Sequence, residues 1–458
     1  MSLTDKIVKS WAAKEGNVNS TADILEWIQE RNATVEVDIQ KDMLREDGFW
    51  YYNEADGVIT NRNNSFFTIS GMKKYEGDAV VHEQPVILQN EIGYLGIICR
   101  EVGGALNFLM QAKIEPGNVN KIQLSPTIQA TKSNFTQLHG GKKPPYLEYF
   151  INASKYEIVV DQIQSEQSSR FFKKRNRNII IKVDEEIDIL PTHRWMTLGQ
   201  IKALMRYENI VNMDTRTVLS CIPFCIEKGD GCEEYFGDKA LYNSIFTAKD
   251  TKIIPRMYQY INNIKMFDES FIRLAPLYSL KSWRMKDNEF VCEQKSDFKI
   301  IFCDISIEGR EVRHWTQPLF EAIGMATFGL FTCIDCGIRK FLVRAKSEVG
   351  CFDKVELGPS VQLEPSVPIE DVQDVLTAQF CSLWRAGRGI VCDSILSEEG
   401  GRFYHEQNHN VIIEVQKDAL ELPEGAFWAD YKTLNTLNLV NNCLNIQLRN
   451  LLSMLEVN

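Results

Sequence analysis

Two kinds of hydrophobic pattern alternate along the chain. Short β-rich runs bounded by turn residues predict strands, and Gly103-Gly104 predicts a turn between two of them. Apolar residues at helical spacing predict helices, one of them capped by Thr197. The predicted strands cover residues 86–88, 95–99, 106–112, 156–161 and 178–183, and the predicted helices are an N-terminal pair containing Ile24, Trp27 and Ile28, the segment 197–205 and a last segment at 433–455.

The same pattern occurs twice in the chain. QPVILQNEIGYLGIICREVGGALNFLMQAKIEPGN begins at Gln84, and QPLFEAIGMATFGLFTCIDCGIRKFLVRAKSEVGC begins 233 residues later at Gln317. A second pair of blocks, DQIQSEQSSRF from Asp161 and DSILSEEGGRF from Asp393, comes in the same order at an offset of 232. Two blocks in the same order indicate a tandem duplication. The counterpart of a residue is the residue of the other copy that this offset assigns to it.

The duplication predicts two domains. We place the first copy, with a helical N-terminal extension, at residues 1–225 and the more divergent second copy at residues 226–458. Strands with flanking helices in each copy predict an α+β fold with a compact core in each half.

Composition and charge exclude several classes of protein. The 458 residues are 44% hydrophobic and 25% charged, which is ordinary for a globular protein and excludes a disordered or low-complexity chain. The net charge of −11 disfavours a general nucleic-acid binder. No run of about eighteen apolar residues is present, so we expect no transmembrane helix. The N-terminus lacks the apolar stretch of a secretory signal, and the 12 scattered cysteines look like free thiols, so we expect a cytoplasmic protein.

Common catalytic motifs are missing from the sequence. Gly140-Gly141-Lys142 lacks the earlier glycine of a Walker A loop, and neither G-x-G-x-x-G after a strand nor G-x-S-x-G occurs. Cys333 and Cys336 have zinc-knuckle spacing but no second pair, which favours two thiols near a hairpin over a metal site.

Polar residues of the first copy form the first candidate site. Alternation from Gln123 to Thr131 places Gln123, Ser125, Thr127, Gln129 and Thr131 on one face of an extended segment. A solvated outer face is the plain interpretation of such a pattern. Against it, Gln129 has a glutamine as its counterpart, Gln362, which points to a shared requirement.

A glycine- and proline-rich loop comes next in the first copy, SNFTQLHGGKKPPYLEYF from Ser133. Loops of this kind concentrate functional groups, and this one carries His139, lysines and tyrosines. A lone loop histidine is more often a surface group than a catalyst. The alternative role for His139 is a hydrogen bond to the loop or to a phosphate oxygen. The second copy has Glu364-Pro-Ser-Val-Pro instead, so chemistry built on this loop would exist once per chain.

The basic cluster from Lys173 to Arg177 stands out in an acidic protein. It is either a solvated turn or a clamp for a diphosphate, since guanidinium groups bind phosphate oxygens in bidentate fashion. The second copy has His405-Glu-Gln-Asn-His there and has lost the charge. A basic cluster retained in one copy suits a single anionic ligand.

These residues carry a resemblance to a known family. The runs QPVILQNEIG, FLMQAKIEPGN, QLSPTIQAT, SNFTQLHGG and SEQSSRFFKKRNRN resemble the NDP-hexose 2,3-dehydratases of deoxysugar biosynthesis, over nearly the whole chain. The resemblance implies two fused Nudix-like α/β/α sandwich domains and a homodimer. It implies a carbon–oxygen lyase that acts on a nucleotide-linked 4-keto-6-deoxyhexose, typically dTDP-4-keto-6-deoxyglucose, without a cofactor or metal, and that supplies a downstream 3-ketoreductase.

The chemistry of this reaction guides the choice of candidate residues. The C4 ketone acidifies the C3 proton, so a base, an acid and donors near the C4 oxygen suffice. Glu115 and Glu166 have glutamate counterparts, Glu348 and Glu398, and a shared glutamate can be structural, which favours His139 as the acid–base residue. The predicted catalytic residues are His139, Glu166, Tyr149, Tyr146 and Glu115, and the predicted substrate-binding residues are Gln129, Thr131, Asn134, Lys142, Arg170, Lys174, Arg175, Asn176 and Arg177.

Two other functions stay open on the sequence. One is a non-catalytic nucleotide-sugar binder on a Nudix-type fold, and the other is a nucleotide-sugar pyrophosphohydrolase. The clustered glutamates of the Nudix box are absent from both copies, which argues against metal-dependent hydrolysis of a pyrophosphate.

Overall fold

The computed structural model describes residues 2–136, 143–226, 231–249, 252–310 and 312–457. The strands of the first half are β1 Val37–Asp42, β2 Trp50–Asn53, β3 Val58–Asn61, β4 Thr68–Glu76, β5 Ala79–Leu88, β6 Tyr94–Val102, β7 Ala105–Ile114, β8 Ile122–Ser125, β9 Ile128–Ala130, β10 Glu157–Ser165, β11 Arg175–Lys182 and β12 His193–Thr197. Those of the second half are β13 Phe271–Ala275, β14 Trp283–Lys286, β15 Glu289–Cys292, β16 Phe298–Ile307, β17 His314–Ala322, β18 Thr327–Asp335, β19 Ile338–Lys346, β20 Glu356–Gly358, β21 Val361–Leu363, β22 Ile390–Ser397, β23 Phe403–Tyr404, β24 Gln407–Glu414 and β25 Ala426–Asp430.

The α-helices flank these strands in both halves. They are α1 Leu3–Ala12, α2 Thr21–Thr34, α3 Lys132–Phe135, α4 Leu147–Ile151, α5 Leu198–Leu204, α6 Met213–Ser220, α7 Lys239–Tyr242, α8 Ile253–Phe267, α9 Val375–Arg385, α10 Tyr431–Asn438 and α11 Ile446–Ser453. Capping boxes start α1 at Ser2, α2 at Ser20 and α5 at Thr197, because each hydroxyl accepts from the third helical amide and that residue's side chain accepts in return. The predicted N-terminal helix pair, the strands and the helix after Thr197 are confirmed.

The duplication appears directly in the sheet topology. In the first copy the strand order is β10-β11-β6-β7-β12, with β8 on β7, β9 on β6, and β11 parallel to β6. In the second copy β22, β24, β18, β19 and β25 pair in the same way, with β20 on β19, β21 on β18, and β24 parallel to β18. The mixed α/β architecture and the repeat are therefore as predicted.

The two halves exchange strands, which the sequence did not indicate. β1, from the first half, pairs antiparallel with β16 of the second half. β13, from the second half, pairs antiparallel with β4 of the first half. The buried helices α6 and α11 also cross over, because Arg216 donates to the carbonyl of Ser397 and Arg449 donates to that of Ser165. The two copies consequently share one hydrophobic core, which contains Ile97 of the first copy and Leu330 of the second.

One predicted element needs correction. The apolar spacing from 433 to 455 predicted a single last helix, but α10 and α11 are separate helices. The chain leaves α10 after Asn438, passes through Asn442 in the left-handed region (φ 59°), and re-enters a helix where Asn445 caps α11 by accepting from the Leu448 amide. Helical spacing on both sides of a turn is indistinguishable from a continuous helix until the capping asparagine is placed.

Candidate active site

A cavity of about 550 Å³ opens where the two copies meet. The first copy contributes β6, β7, β9, α3 and α6, and the second contributes the start of β17 and the turn 399–402. The aromatic part of the wall consists of Phe49, Trp50, Phe66, Tyr94 and Trp315, and the polar part includes Gln89, Lys113, Glu115, Gln129, Thr131, Asn134, Lys174, Asn176, Asp214, Glu399 and Arg402.

The turn 399–402 reaches the first copy through a glycine-to-glycine contact. The Gly117 amide donates to the carbonyl of Gly400 (2.7 Å), and the Gly117 carbonyl accepts from the His405 amide (2.8 Å). The counterpart contact is present as well, because the Gly350 amide donates to the Ser168 carbonyl and the Gly350 carbonyl accepts from the Lys173 amide, both at 2.8 Å. Each copy therefore contributes a turn that packs against a glycine of the other copy.

Gln129 is the centre of a hydrogen-bond network at the cavity floor. Its Nε2 donates to Glu115 Oε1 (3.1 Å), and its Oε1 accepts from Ser125 Oγ (3.1 Å) and Asn212 Nδ2 (3.3 Å). Gln362 and Glu348 form the same pair in the second copy at 3.4 Å. Because both copies keep this network, it supports the fold at this position as well as lining the cavity.

The extended segment before α3 is not a solvated face. Gln123, Ser125 and Thr127 are buried, and Gln129 borders the cavity. Thr131 caps α3 and its hydroxyl also contacts Asn134 Oδ1 at 3.1 Å. The interpretation of this stretch as an outer face is wrong, because α2 and α6 pack against β8.

Glu166 and Lys174 form a second buried polar group. Asn176 Nδ2 donates to Glu166 Oε1 at 2.7 Å, and Asn408 and Glu398 repeat this contact at the same distance in the second copy. Burial, with a smaller contribution from Glu399, raises the pKa of Glu166 to about 7. Burial lowers the pKa of Lys174 to about 8, and its ammonium donates to the backbone carbonyl of Glu91.

The predicted diphosphate clamp is only partly assembled. Lys174 and Asn176 border the cavity. Arg177 instead forms a bidentate pair with Asp161 (2.7 and 2.6 Å), and Arg175 lies over the ring of Phe352 at 3.8 Å. Alternation at the start of β11 directs Arg175 and Arg177 to the face opposite that of Lys174 and Asn176, so the basic residues of this segment cannot all reach one ligand.

Arg170 is also directed away from this cavity. It is 2% exposed, lies over the ring of Phe298 at 4.4 Å and approaches Glu364 to within 3.8 Å. Its counterpart Arg402 occupies the cavity wall, where it donates to Gln89 Oε1 at 3.0 Å. The second copy therefore supplies the arginine that the sequence assigned to the first.

The two predicted tyrosines pack in a hydrophobic cluster that includes Phe150 and Ile179. The Tyr146 hydroxyl donates to the Asp188 carbonyl (2.8 Å) and accepts from the Leu190 amide (3.0 Å). Tyr149 packs between Tyr146 and Tyr156, and burial raises the pKa of both Tyr146 and Tyr149. Neither borders the cavity. The predictions for His139 and Lys142 lie outside the described residues.

Several cavity residues escaped sequence reasoning. Asp214 and Glu399 face the space, as do Lys113 and Arg402. A signal for them existed in the repeat, because Asp214 has Gln447 as its counterpart and Glu399 has Gln167. Comparing the copies position by position, rather than searching the first copy for loops and charge runs, would have found these two carboxyls.

The fold and the site together define a class of protein. A duplicated α/β domain closes one cavity whose wall combines aromatic rings, cationic side chains and carboxyl groups, which suits proton-transfer chemistry on a polar, anionic small molecule. Among the residues that the structure describes, no group of three or more histidine, cysteine or acidic side chains is placed to hold a metal ion. Within the same residues, no helix has the length and apolar character needed to cross a membrane.

Comparison with known proteins is consistent with this class. The family model for NDP-hexose 2,3-dehydratase matches twice, at residues 21–222 and 255–455. A dTDP-4-dehydro-6-deoxy-α-D-glucopyranose 2,3-dehydratase from Saccharopolyspora spinosa is 38% identical over 89% of this chain and 85% of its own length. Proteins of the same name from Amycolatopsis orientalis and Streptomyces violaceoruber are 32% and 33% identical over 98% and 95% of this chain, and over 93% and 97% of their own lengths. The chain belongs to the NDP-hexose 2,3-dehydratase family.

Proposed function

We propose that this chain removes water across C2 and C3 of dTDP-4-keto-6-deoxyglucose and releases a 3,4-diketo-2,6-dideoxy sugar for deoxysugar biosynthesis. Membership of the family and the names of the three relatives support the reaction. The observation that carries it in the structure is the cavity of about 550 Å³, which falls within the usual size of a small-molecule site and combines cations with carboxyl groups.

The reaction balances with protein side chains alone. A base removes the proton on C3, and the electrons form the C2–C3 double bond as the C2–O bond breaks. The C2 hydroxyl takes a proton from an acid and leaves as water. The enol left at C3 tautomerises to a ketone, so no hydride moves. Donors near the C4 oxygen stabilise the enolate that develops during proton removal.

The wall of the cavity suggests how the substrate lies. Aromatic rings such as Trp50 and Trp315 offer a stacking surface for the thymine ring of the nucleotide. Arg402 supplies a fixed guanidinium for the diphosphate, because its bond to Gln89 already holds it in place. The hexose then lies toward Lys174 and Glu115, with Lys174 as a donor to the C4 oxygen.

Six of the predicted residues fit a role in this cavity. Glu166 lies behind Asn176 and positions it, while His139 and Lys142 remain candidates on the loop after α3. We retain residues 1–225 and 226–458 as the two copies, and we propose that each is a Nudix-like sandwich. The six predicted residues proposed to face the substrate are Glu115, Gln129, Thr131, Asn134, Lys174 and Asn176.

The proposal extends to partners and location. We propose a cytoplasmic homodimer that needs no bound cofactor and delivers its unstable product to a 3-ketoreductase. The family and its named relatives do not favour the alternative of a non-catalytic binder.

The test is direct turnover. The protein is incubated with dTDP-4-keto-6-deoxyglucose, a 3-ketoreductase and NADPH, and the product is analysed by mass spectrometry for a dTDP-linked 2,6-dideoxy sugar. dTDP-glucose, which lacks the ketone, is the control substrate and is expected to remain unchanged. Binding of the keto sugar without any loss of water would contradict the proposal, and release of dTMP would indicate a hydrolase.

A further inference from the structure

Two carboxyl groups of the cavity have no partner among the described residues. Asp214, in the first turn of α6, is 2% exposed and borders the cavity. Glu399 enters from the turn of the second copy and borders the same space. Within the part of the chain that the structure describes, neither side chain forms a hydrogen bond or an ion pair. A buried carboxyl without a partner is costly for the fold, so its presence calls for a reason outside the fold.

The other acidic groups of the site differ in this respect. Gln129 donates to Glu115, and Asn176 donates to Glu166. Their counterparts are also glutamates held by the same amide contacts, so those positions retain a carboxyl in both copies. Glu115 and Glu166 are therefore part of the framework that both copies share.

The counterparts of the unpaired carboxyls are both glutamine. Gln447 stands at the position of Asp214, and Gln167 stands at the position of Glu399. Both glutamines are buried, so an amide of similar size satisfies the packing of the fold at these positions. An amide cannot exchange a proton in the way a carboxyl does. The difference between the copies is thus the loss or gain of proton-transfer capacity at two positions that border one cavity.

We propose that Asp214 and Glu399 are the acid–base pair of the dehydration, with Glu399 removing the C3 proton and Asp214 protonating the departing C2 hydroxyl. This rests on the proposed function. The C3–H bond breaks toward the Glu399 carboxylate, the C2–O bond breaks, and the Asp214 proton leaves with the hydroxyl as water. The two residues end with opposite protonation states, and solvent restores them before the next turnover.

The surroundings of each group fit its role. Burial raises the pKa of Asp214 well above its ordinary range, and the neighbouring carboxyls of Glu399, Glu166 and Glu115 raise it further against the opposing effect of Lys113. A raised pKa favours the protonated form of Asp214, which suits a group that donates a proton to the departing hydroxyl. Burial also raises the pKa of Glu399, but Arg402 acts in the opposite direction and favours its carboxylate. Environments that separate two carboxyls in this way are typical of acid–base pairs.

The experiment compares three near-isosteric variants with the wild type. Asp214→Asn and Glu399→Gln are expected to lose about 10²-fold or more in turnover while affinity for dTDP changes less than about threefold. Glu406→Gln is the matched control, since it removes a buried carboxyl that accepts from Gln167, the counterpart of Glu399, and it is expected to retain turnover within about twofold. Circular dichroism and the unfolding midpoint establish that each variant is folded.

Exchange in D₂O assigns the two roles. With Asp214→Asn, the substrate is expected to exchange its C3 proton for deuterium without losing water, because the base is intact. With Glu399→Gln, the substrate is expected neither to exchange this proton nor to lose water. Exchange that survives in Glu399→Gln would overturn the assignment of the base, and wild-type turnover in both folded variants would overturn the pair. If the wild type itself fails to dehydrate the keto sugar, the proposed function fails; if only the variants behave unexpectedly, this assignment fails alone.

Discussion

A substitution at Gly117 can test whether the cavity depends on the contact between the two copies. A Cβ added there would lie 1.7 Å from the Phe403 carbonyl oxygen, where ordinary contacts exceed 3.0 Å. Because the obstacle is backbone, the turn after Glu399 has to move by more than an ångström in Gly117→Ala. The displacement also separates the Gly117 amide from the Gly400 carbonyl and the His405 amide from the Gly117 carbonyl.

The expected cost follows from these contacts. Two net hydrogen bonds contribute about 1 kcal/mol each, and forcing an extra methyl into a packed interior costs about 1–3 kcal/mol, which together give about 3–5 kcal/mol. Gly350→Ala supplies the matched comparison, because its Cβ would lie 1.7 Å from the Phe171 carbonyl oxygen and its two hydrogen bonds are equivalent. Both variants are expected to lose similar free energy of unfolding in urea titrations.

Their effects on activity are expected to differ. Gly117→Ala displaces the turn that carries Glu399 and Arg402, so it should lower turnover at least tenfold more than Gly350→Ala does, measured at a temperature where both are folded. The geometric reasoning would be refuted if Gly117→Ala lost less than about 1 kcal/mol. Equal losses of turnover in both variants would show that activity follows stability rather than the position of the turn.

Three other predictions concern binding, pH and metal ions. Lys174→Met is expected to weaken substrate binding by about 1.5–3 kcal/mol in calorimetric titrations, whereas Arg177→Ala, whose guanidinium is paired with Asp161, should change affinity less than twofold. Burial lowers the pKa of His193 to about 4 from 6.5, so the stability that this residue contributes is present above pH 6.5 and is lost as pH falls toward 4. Relative to His193→Gln, the wild type should lose about 3 kcal/mol of unfolding free energy over that interval in urea titrations. Turnover should survive EDTA because elimination beside a ketone needs donors rather than a divalent ion, and a loss restored by Mg²⁺ or Zn²⁺ would contradict this mechanism.

The local order of the fold was accessible from the sequence because its signals are local. The strands around 95–112, the turn at Gly103-Gly104 and the capped helix after Thr197 each depend on residues a few positions apart. The duplication was accessible for a different reason, since two copies of one fold keep similar residues at a fixed offset. The break between α10 and α11 was missed because helical spacing continues across the turn at Asn442.

The candidate site was only partly accessible for physical reasons that lie in the packing. Gln129 was found because polar alternation and its counterpart Gln362 single it out, and in the folded chain it donates to Glu115. Arg177 was assigned to a ligand on charge alone, but its strand presents it to Asp161. Asp214 was passed over because a single aspartate in a short buried helix carries no motif.

By itself, then, the sequence determined a duplicated α/β chain, its family and six of the 28 residues that line the cavity. Tertiary structure alone decided that the cavity belongs to both copies. The glycine contacts at Gly117 and Gly350 and the exchange of β1 and β13 join residues more than 170 positions apart. No periodicity or spacing records such a contact, because it depends on how two folded surfaces meet. This meeting places Glu399 and Arg402 in the same cavity as Asp214.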